Sequence, residues 1–325
     1  MATDLSQLER LGDALTSPTP AKRMLIVVNP YATTVSDRLK SLVVYALRGR
    51  YEVEAVETER RGHATELARE AADEGYDVVV AFGGDGTINE VANGLAGSRT
   101  PMSCLPGGAT NVFPRILGIP HEIVDATEHL LRLADEWTPR VIDLGTMNGR
   151  AFAFSSGMGL DASVVRDVDR HPYRKAKFGA WYFASTAIGT FTRRYLRDPP
   201  LMDVEVARER VSGVTLIVQN TELFTYFNRR PVHITDPVDI EGGTLGAAVL
   251  TRAHPLDLPT VMVRALARSP RVADHRRVRA FAEVTELQAQ ACDGRPIPVQ
   301  VDGDYVGDEA HVVYGVRPGA LVVVA

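Results

Sequence analysis

Two cysteines in 325 residues, Cys104 and Cys292, are too few and too far apart for a CxxC or zinc-ligand spacing. The sequence therefore excludes a disulfide framework and a metal–thiolate site, and it fits a reducing compartment. Long hydrophobic runs are missing too. No uninterrupted apolar stretch is long enough to cross a membrane, and the opening residues MATDLSQLERLGDALTSPTP carry acids and no apolar core of signal-peptide length. A soluble or peripherally attached chain is expected. Nor does one sign of charge dominate: 36 Lys and Arg stand against 41 Asp and Glu, a formal net charge of −5. Nucleic acid and acidic polymers are not indicated as partners, and any attraction to an anionic surface must come from local patches. Internal repeats and low-complexity segments are absent as well.

What is present is ordinary globular material, 45% hydrophobic and 24% charged, at a length that suggests two domains. Apolar runs at Met24 to Val28, Tyr51 to Val56, Asp77 to Phe82 and Met102 to Leu105 read as strands. Between them, apolar residues at helical spacing (Leu39, Leu42, Val43, Ala46 and Leu47; Ala64, Leu67, Ala68, Ala71 and Ala72; Ile88, Val91, Ala92 and Leu95) read as helices. This alternation predicts a mostly parallel α/β layer with ligands at the carboxyl ends of its strands. From Val141 the pattern becomes mainly β. Asn148-Gly149, between Val141 to Met147 and Ala151 to Ser156, suits a type I′ hairpin turn. Further strands are expected at Met202–Val206, Val214–Val218, Leu245–Leu250, Ala282–Leu287, Ile297–Val301 and Leu321–Val324, interrupted by an aromatic helix-like stretch from Lys177 to Arg194. The expected division is a flexible leader, 1–21, an α/β nucleotide-binding domain, 22–143, completed by 313–325, and a β-rich, sandwich-like domain, 144–312.

The octapeptide Gly83-Gly84-Asp85-Gly86-Thr87-Ile88-Asn89-Glu90 joins a buried strand to a helix. Its glycines let the backbone approach phosphate without Cβ clashes, and the helix start offers free N–H groups and a positive dipole end. Thr87 suits an N-cap or a phosphate contact, and Asp85 a magnesium or water-relay carboxylate; the plainer alternative is a glycine-rich turn with Asp85 as a cap. A second glycine loop, Pro106-Gly107-Gly108-Ala109-Thr110-Asn111, follows the next strand, so two such loops are expected to meet at one sheet edge. Neither GxxxxGK[ST] nor GxGxxG after the first strand occurs, which excludes the P-loop and dinucleotide-binding routes.

Asn29-Pro30, Gly83 to Glu90 followed by Val91-Ala92-Asn93-Gly94, Pro106-Gly107-Gly108 with Asn111, Leu117-Gly118-Ile119-Pro120, Lys177-Phe178-Gly179 with Tyr182, Asn220, and Val301-Asp302-Gly303-Asp304 occur in this order. The chain resembles the bacterial diacylglycerol kinases and the sphingosine kinases over nearly its whole length. The resemblance implies an ATP- and Mg2+-dependent lipid kinase with its active site in the cleft between the two domains. It carries nucleotide contacts over to Asn29, Thr58, Gly83, Gly84, Asp85, Gly86, Thr87, Glu90, Gly107, Gly108, Thr110 and Asn111. It makes Asp302, Asp304 and Asp85 the catalytic carboxylates, with metal at Asp85 and Asp302. If the DGD segment is extended, alternation turns Asp302 and Asp304 to one face, so both can act on one site; the alternative is a solvent-facing acidic turn.

The sequence departs from the family pattern at Tyr31, Thr33, Ala109 and Val112. Pro237 and Gly242 stand at two acidic positions of the segment Asp236 to Thr244, which argues against a structural magnesium near Asp239. The implied partner is a lipid at a membrane surface, met by a cytoplasmic protein peripheral at the inner membrane face, and a homodimer is left open. Two basic stretches could serve docking. One holds Arg170, Arg174, Lys175 and Lys177 beside Phe178, Trp181, Tyr182 and Phe183; the other runs from Arg264 to Arg279. Soluble-substrate kinases sharing a GGDG turn, and a nucleotide-binding regulator without turnover, are the competing readings.

Overall fold

The computed structural model describes residues 22–32, 36–170, 182, 185–227, 230–265, 267, 269 and 271–325. The leader 1–21, Thr33, and Arg174, Lys175, Lys177, Phe178, Gly179, Trp181 and Phe183 of the first docking segment lie outside them. The chain divides into two compact units: one runs to Ile142 and resumes at Gly319–Ala325, and the other is Asp143–Pro318.

The first unit is a parallel sheet clad in helices. Its strands are β1 (Lys22–Val28), β2 (Tyr51–Glu57), β3 (Val78–Gly83) and β4 (Met102–Pro106), in the order β2-β1-β3-β4, and the C-terminal strand joins beside β4 through Val323 and Met102. Between the strands run α1 (Asp37–Leu47), α2 (His63–Asp73), α3 (Asp85–Leu95), α4 (Val112–Ile116) and α5 (Ile123–Leu133). Met24 to Val28 and Val78 to Phe82 are buried at every position, as strands covered on both faces require. Helices α2 and α3 pack at Gly94, where a Cβ would come 2.5 Å from the Thr65 carbonyl oxygen. Helix α5 was not expected, although Ile123, Val124, Leu130, Leu131 and Leu133 bury one of its faces.

The second unit is mainly antiparallel. It contains β5 (Arg140–Met147), β6 (Arg150–Phe152), β7 (Ser155–Gly159), α6 (Leu160–Asp169), a π-helical turn at Phe191–Tyr195, β8 (Met202–Val206), β9 (Glu209–Gly213), β10 (Thr215–Gln219), β11 (Thr225–Phe227), β12 (Arg230–Val232), β13 (Leu245–Leu250), α7 (Leu258–Ala265), β14 (Val278–Val284), β15 (Glu286–Ala291), β16 (Ile297–Val301), β17 (Asp304–Glu309) and β18 (His311–Val323). One layer runs β18-β15-β8-β9, with β5 beside β18 and β6 beside β5; the other runs β14-β13-β10-β7-β16-β17. Met158, Leu216, Val218 and Val299 from one layer meet Val204, Leu287, Val312 and Tyr314 from the other in a single core. Phe152 and Tyr314 meet there edge to face, with ring centroids 6.3 Å apart.

Three boundaries differ from the sequence reading, and each has a backbone cause. The expected strand Ala151 to Ser156 is two strands, because the chain leaves one sheet at Phe152 and enters the other at Ser155. The expected strand Ala282–Leu287 likewise splits at Thr285, after Glu283 takes a positive φ of 53°. The expected return at 313 falls at Gly319, because the first residues of β18 pair with β15 and stay in the second unit. The Asn148-Gly149 turn has φ of 49° and 82°, the type I′ signature.

Candidate active site

In the first unit the loops after β1, β3 and β4 are tied into one assembly. The Asn29 side chain donates from Nδ2 to Thr87 Oγ1 at 3.0 Å, while its Oδ1 accepts from the Tyr31 backbone at 2.9 Å. Gly107 N–H donates to the Gly83 carbonyl at 2.8 Å. Asp85 Oδ1 accepts from Phe113 N–H, in the first turn of α4, at 3.2 Å. A Cβ on Gly108 would lie 2.8 Å from the Gly84 Cα, so the two glycine loops touch backbone to backbone. The expected meeting of the glycine loops at one sheet edge is therefore observed.

Helix α3 begins at Asp85, with Gly84 as its N-cap and no side-chain cap on its first N–H groups. Neither Thr87 nor Asp85 is the cap. Thr87 lies in the first turn, buried under Gly83 and held by Asn29. A helix start with a glycine cap and adjoining glycine loops is suited to phosphate oxygens. Asp85 stands at that start, and its carboxylate would be the group to hold a magnesium ion, which often takes only one or two protein carboxylates. Among the described residues no group of three His, Cys, Asp or Glu side chains is placed to hold a metal ion.

Other expected contacts are already engaged. The oxygens of Glu90 accept from Gly62 N at 2.9 Å and Ala64 N at 3.2 Å, so this carboxylate caps α2. Asn111, at φ 49°, folds back on its own loop: Oδ1 accepts from Gly108 N at 2.8 Å and Nδ2 donates to Gly108 O at 2.7 Å. Thr110 is half-buried beside it. Thr58 follows β2, its N–H donating to Val28 O at 2.8 Å, and it borders a depression with Pro30, Tyr31, Lys40 and Arg48 that the glycine turns do not line. Cys104 lies on β4 as core, and burial pushes its thiol pKa well up.

In the second unit the DGD segment is not extended. Asp302 and Gly303 have φ of 49° and 80°, and they form a tight turn between β16 and β17. The strand-alternation argument for Asp302 and Asp304 therefore fails, because positive φ at two successive residues reverses the chain. Asp302 is 3% exposed, and its carboxylate grips the crossing between β6 and β7. Oδ2 accepts from Ala153 N at 2.7 Å, and Oδ1 accepts from Phe154 N at 3.0 Å and Ser155 N at 3.1 Å. Asn220 holds the other side, donating from Nδ2 to Asp143 O at 2.9 Å and Ala153 O at 3.2 Å. A carboxylate so occupied does not fit a metal ligand or a free base; Asp304 is the half-buried acid of this turn. Of the five non-glycine residues with positive φ, Asn148, Ala207 and Asp302 reverse hairpins, Asn111 caps α4, and Glu283 lies in β14 at a register shift.

Two residues that motif reading missed complete the second unit. Asp143 is buried, and its Oδ2 accepts from Gly243 N at 2.6 Å, while its N–H donates to Ile240 O at 2.8 Å. Asp239 Oδ1 accepts from Glu241 N at 3.0 Å, so the segment expected to have lost a magnesium site is a hydrogen-bonded loop clasped by Asp143. Asp161, in the first turn of α6, is half-buried with its carboxylate packed against Gly157, and it accepts from Gln300 Nε2 at 3.1 Å; Gln300 Oε1 in turn accepts from Gly303 N at 2.9 Å. Burial pushes the Asp161 carboxyl up to about 6. The signal for both was an acid inside an apolar stretch, which is unusual unless the acid is paired.

The glycine-cradled helix start on a parallel sheet is an arrangement suited to phosphate oxygens. Residues 23–147 match the family model of the diacylglycerol kinase catalytic domain. The chain is 38% identical over 156 residues to the diacylglycerol kinase of Bacillus subtilis (strain 168), covering 45% of this chain and 49% of that one. It is 39% identical over 137 residues to the diacylglycerol kinase of Staphylococcus aureus (strain bovine RF122 / ET3-1), covering 40% and 42%. It thus aligns with about half the length of these curated relatives. The crystal structure of a diacylglycerol kinase from Bacillus anthracis str. Sterne shares the fold, with a TM-score of 0.68 over 94% of this chain and 97% of that one at 19% identity. No described helix is long and apolar enough to cross a membrane.

Proposed function

We propose that the protein is an ATP-dependent lipid kinase that transfers the γ-phosphoryl group to the hydroxyl of a diacylglycerol-like or sphingoid lipid. One observation carries this reading: the glycine-capped start of α3, laced to the loops after β1 and β4, with Asp85 at its tip. Uncapped N–H groups and bare glycines receive phosphate oxygens, and Asp85 is the residue that would hold Mg2+ against them. Mg2+ bound there would neutralise charge developing on the phosphates. The lipid oxygen forms a bond to the γ-phosphorus as the bond to the β-phosphate oxygen breaks, ADP leaves, and the hydroxyl proton passes to a carboxylate. Asp304 is the candidate acceptor of that proton, and Asp85 the alternative. The reaction is then mostly positioning and charge neutralisation. A peripheral station at the inner membrane face of the cytoplasm follows from a lipid acceptor.

The test is transfer of labelled γ-phosphate from ATP to diacylglycerol, monoacylglycerol, sphingosine and ceramide in mixed micelles, with Asp85→Asn as the control. Transfer to one lipid class, lost in the variant, supports the reading and names the acceptor. ATP bound without transfer to any of the four overturns it in favour of a soluble acceptor or a regulator.

A further inference from the structure

We propose that the arginine-rich face around α7 docks the second unit on an anionic lipid bilayer, with Leu256 and Val263 entering the interface. The inference takes its occupant from the lipid-kinase reading, but its observations are separate from the glycine loops. Helix α7 turns Val261 and Ala265 into a small core with Val232, Ala248, Val272 and Val278. Val263, two residues from each, points away and is 68% exposed, and Leu256, just before the helix, is 75% exposed. Such side chains are isolated apolar points on a polar surface, and they are not part of any core.

The setting of these two residues is basic. Arg252, Arg264, Arg271, Arg276, Arg277 and Arg279 are all described within this stretch, against Asp257 and Asp274 as its own acids. The pieces are contiguous: Thr251 N–H donates to Arg277 O at 2.8 Å, Thr260 Oγ1 pairs with His275 Nε2 at 3.0 Å, and Arg264 Nη1 donates to Arg271 O at 3.1 Å. The acid at the centre lies beneath the surface. The Asp257 side chain is 5% exposed and holds Arg276 at 2.7 Å and Arg277 at 3.4 Å, and the Arg276 side chain remains 72% exposed. Asp274 and Asp236 answer Arg271, and Glu209 answers Arg279. Arg252 is exposed, and among the described residues neither it nor Arg264 is paired with one of these acids. A positive face with two protruding apolar tips is complementary to an anionic headgroup layer over hydrocarbon. Apolar burial and headgroup attraction then act together, as stable peripheral attachment requires.

The test is flotation of the full chain with vesicles of phosphatidylcholine alone and of phosphatidylcholine mixed with phosphatidylglycerol. Wild type is expected to float with the mixed vesicles and not with the neutral ones. Arg252→Ala is expected to weaken that binding about fivefold. Leu256→Asp with Val263→Asp is expected to weaken it about tenfold or more, by removing the inserted apolar groups. Both variants change exposed side chains, so unfolding curves and phosphoryl transfer in detergent micelles should match wild type. Wild type that fails to float with anionic vesicles, or variants that float equally well, overturn the docking face. Wild type that floats as expected yet transfers no phosphate in micelles supports the face and overturns the kinase reading alone.

Discussion

The replacement Asp302→Asn separates a structural acid from a catalytic one. Asparagine tolerates the positive φ of 49° at this position, so the backbone conformation is not the source of any loss. The loss comes from the three N–H groups that the carboxylate accepts. The amide oxygen of asparagine can serve Phe154 and Ser155, where Oδ1 now stands at 3.0 and 3.1 Å. Its NH2 then faces the Ala153 N–H, which Oδ2 accepts at 2.7 Å, donor against donor. One charge-assisted hydrogen bond is lost, and a buried N–H is left unmet; together these cost about 3–5 kcal/mol. Amide hydrogen exchange at Ala153 is expected to speed up about a hundredfold or more, and the urea midpoint of the second unit to fall. Asp304→Asn, at the half-buried acid of the same turn, should cost under about 1 kcal/mol and reduce phosphoryl transfer about a hundredfold. The reasoning is refuted if Asp302→Asn keeps wild-type exchange and urea midpoint while abolishing transfer, because Asp302 would then be acting on substrate.

Two further perturbations test the remaining geometry. Asp161 is raised from 3.8 to about 6 by burial, so the native state holds its proton over a range where the unfolded chain has lost it. Its contribution is greatest below pH 3.8 and declines as pH rises to about 6, a loss of ~3 kcal/mol. The unfolding free energy of Asp161→Asn should therefore gain on wild type by that amount between these pH values, and parallel pH curves would sink the assignment. Gly108→Ala sets a Cβ 2.8 Å from the Gly84 Cα, and since that atom is backbone, the two loops must part, at about 1–3 kcal/mol. Titration calorimetry should show weaker ATP binding by this variant; unchanged affinity would mean that the paired glycine loops do not form the phosphate cradle.

The first unit was largely legible because its signals are local. Burial on both faces makes β1 and β3 continuous apolar runs, and GGDGT punctuates strand to helix in one octapeptide. The second unit was read less well, because its decisive events are changes of sheet. Ala153 and Phe154 are buried apolar residues like their neighbours, and nothing in their pattern says that the chain leaves one layer there for the other. Helix α6 was missed for a related reason: Val164, Val165 and Val168 are β-branched, and burial outweighs their weak helix propensity. Asp143 and Asn220 act on backbone groups 67 to 100 residues away in the chain, and Gln300 acts on the Asp161 carboxylate 139 residues away; no short motif encodes such a distance.

The two acidic glycine turns, GGDGT and DGD, are built from the same letters and do opposite things. In the first, the glycines admit a neighbouring backbone and leave a helix start without a side-chain cap, so Asp85 sits where added negative charge is welcome. In the second, aspartate and glycine both take positive φ to reverse a hairpin, and the carboxylate turns inward to three N–H groups that would otherwise be buried without partners. The family resemblance set Asp302 beside Asp85. Following each oxygen to its donor ranks them apart, since a carboxylate that already satisfies the fold has little left to offer a metal or a proton. Glu90 and Asn111 likewise bond backbone groups of the scaffold, and the chemistry proposed for this chain rests first on Asp85, Asp304 and the backbone of Gly84 to Gly86.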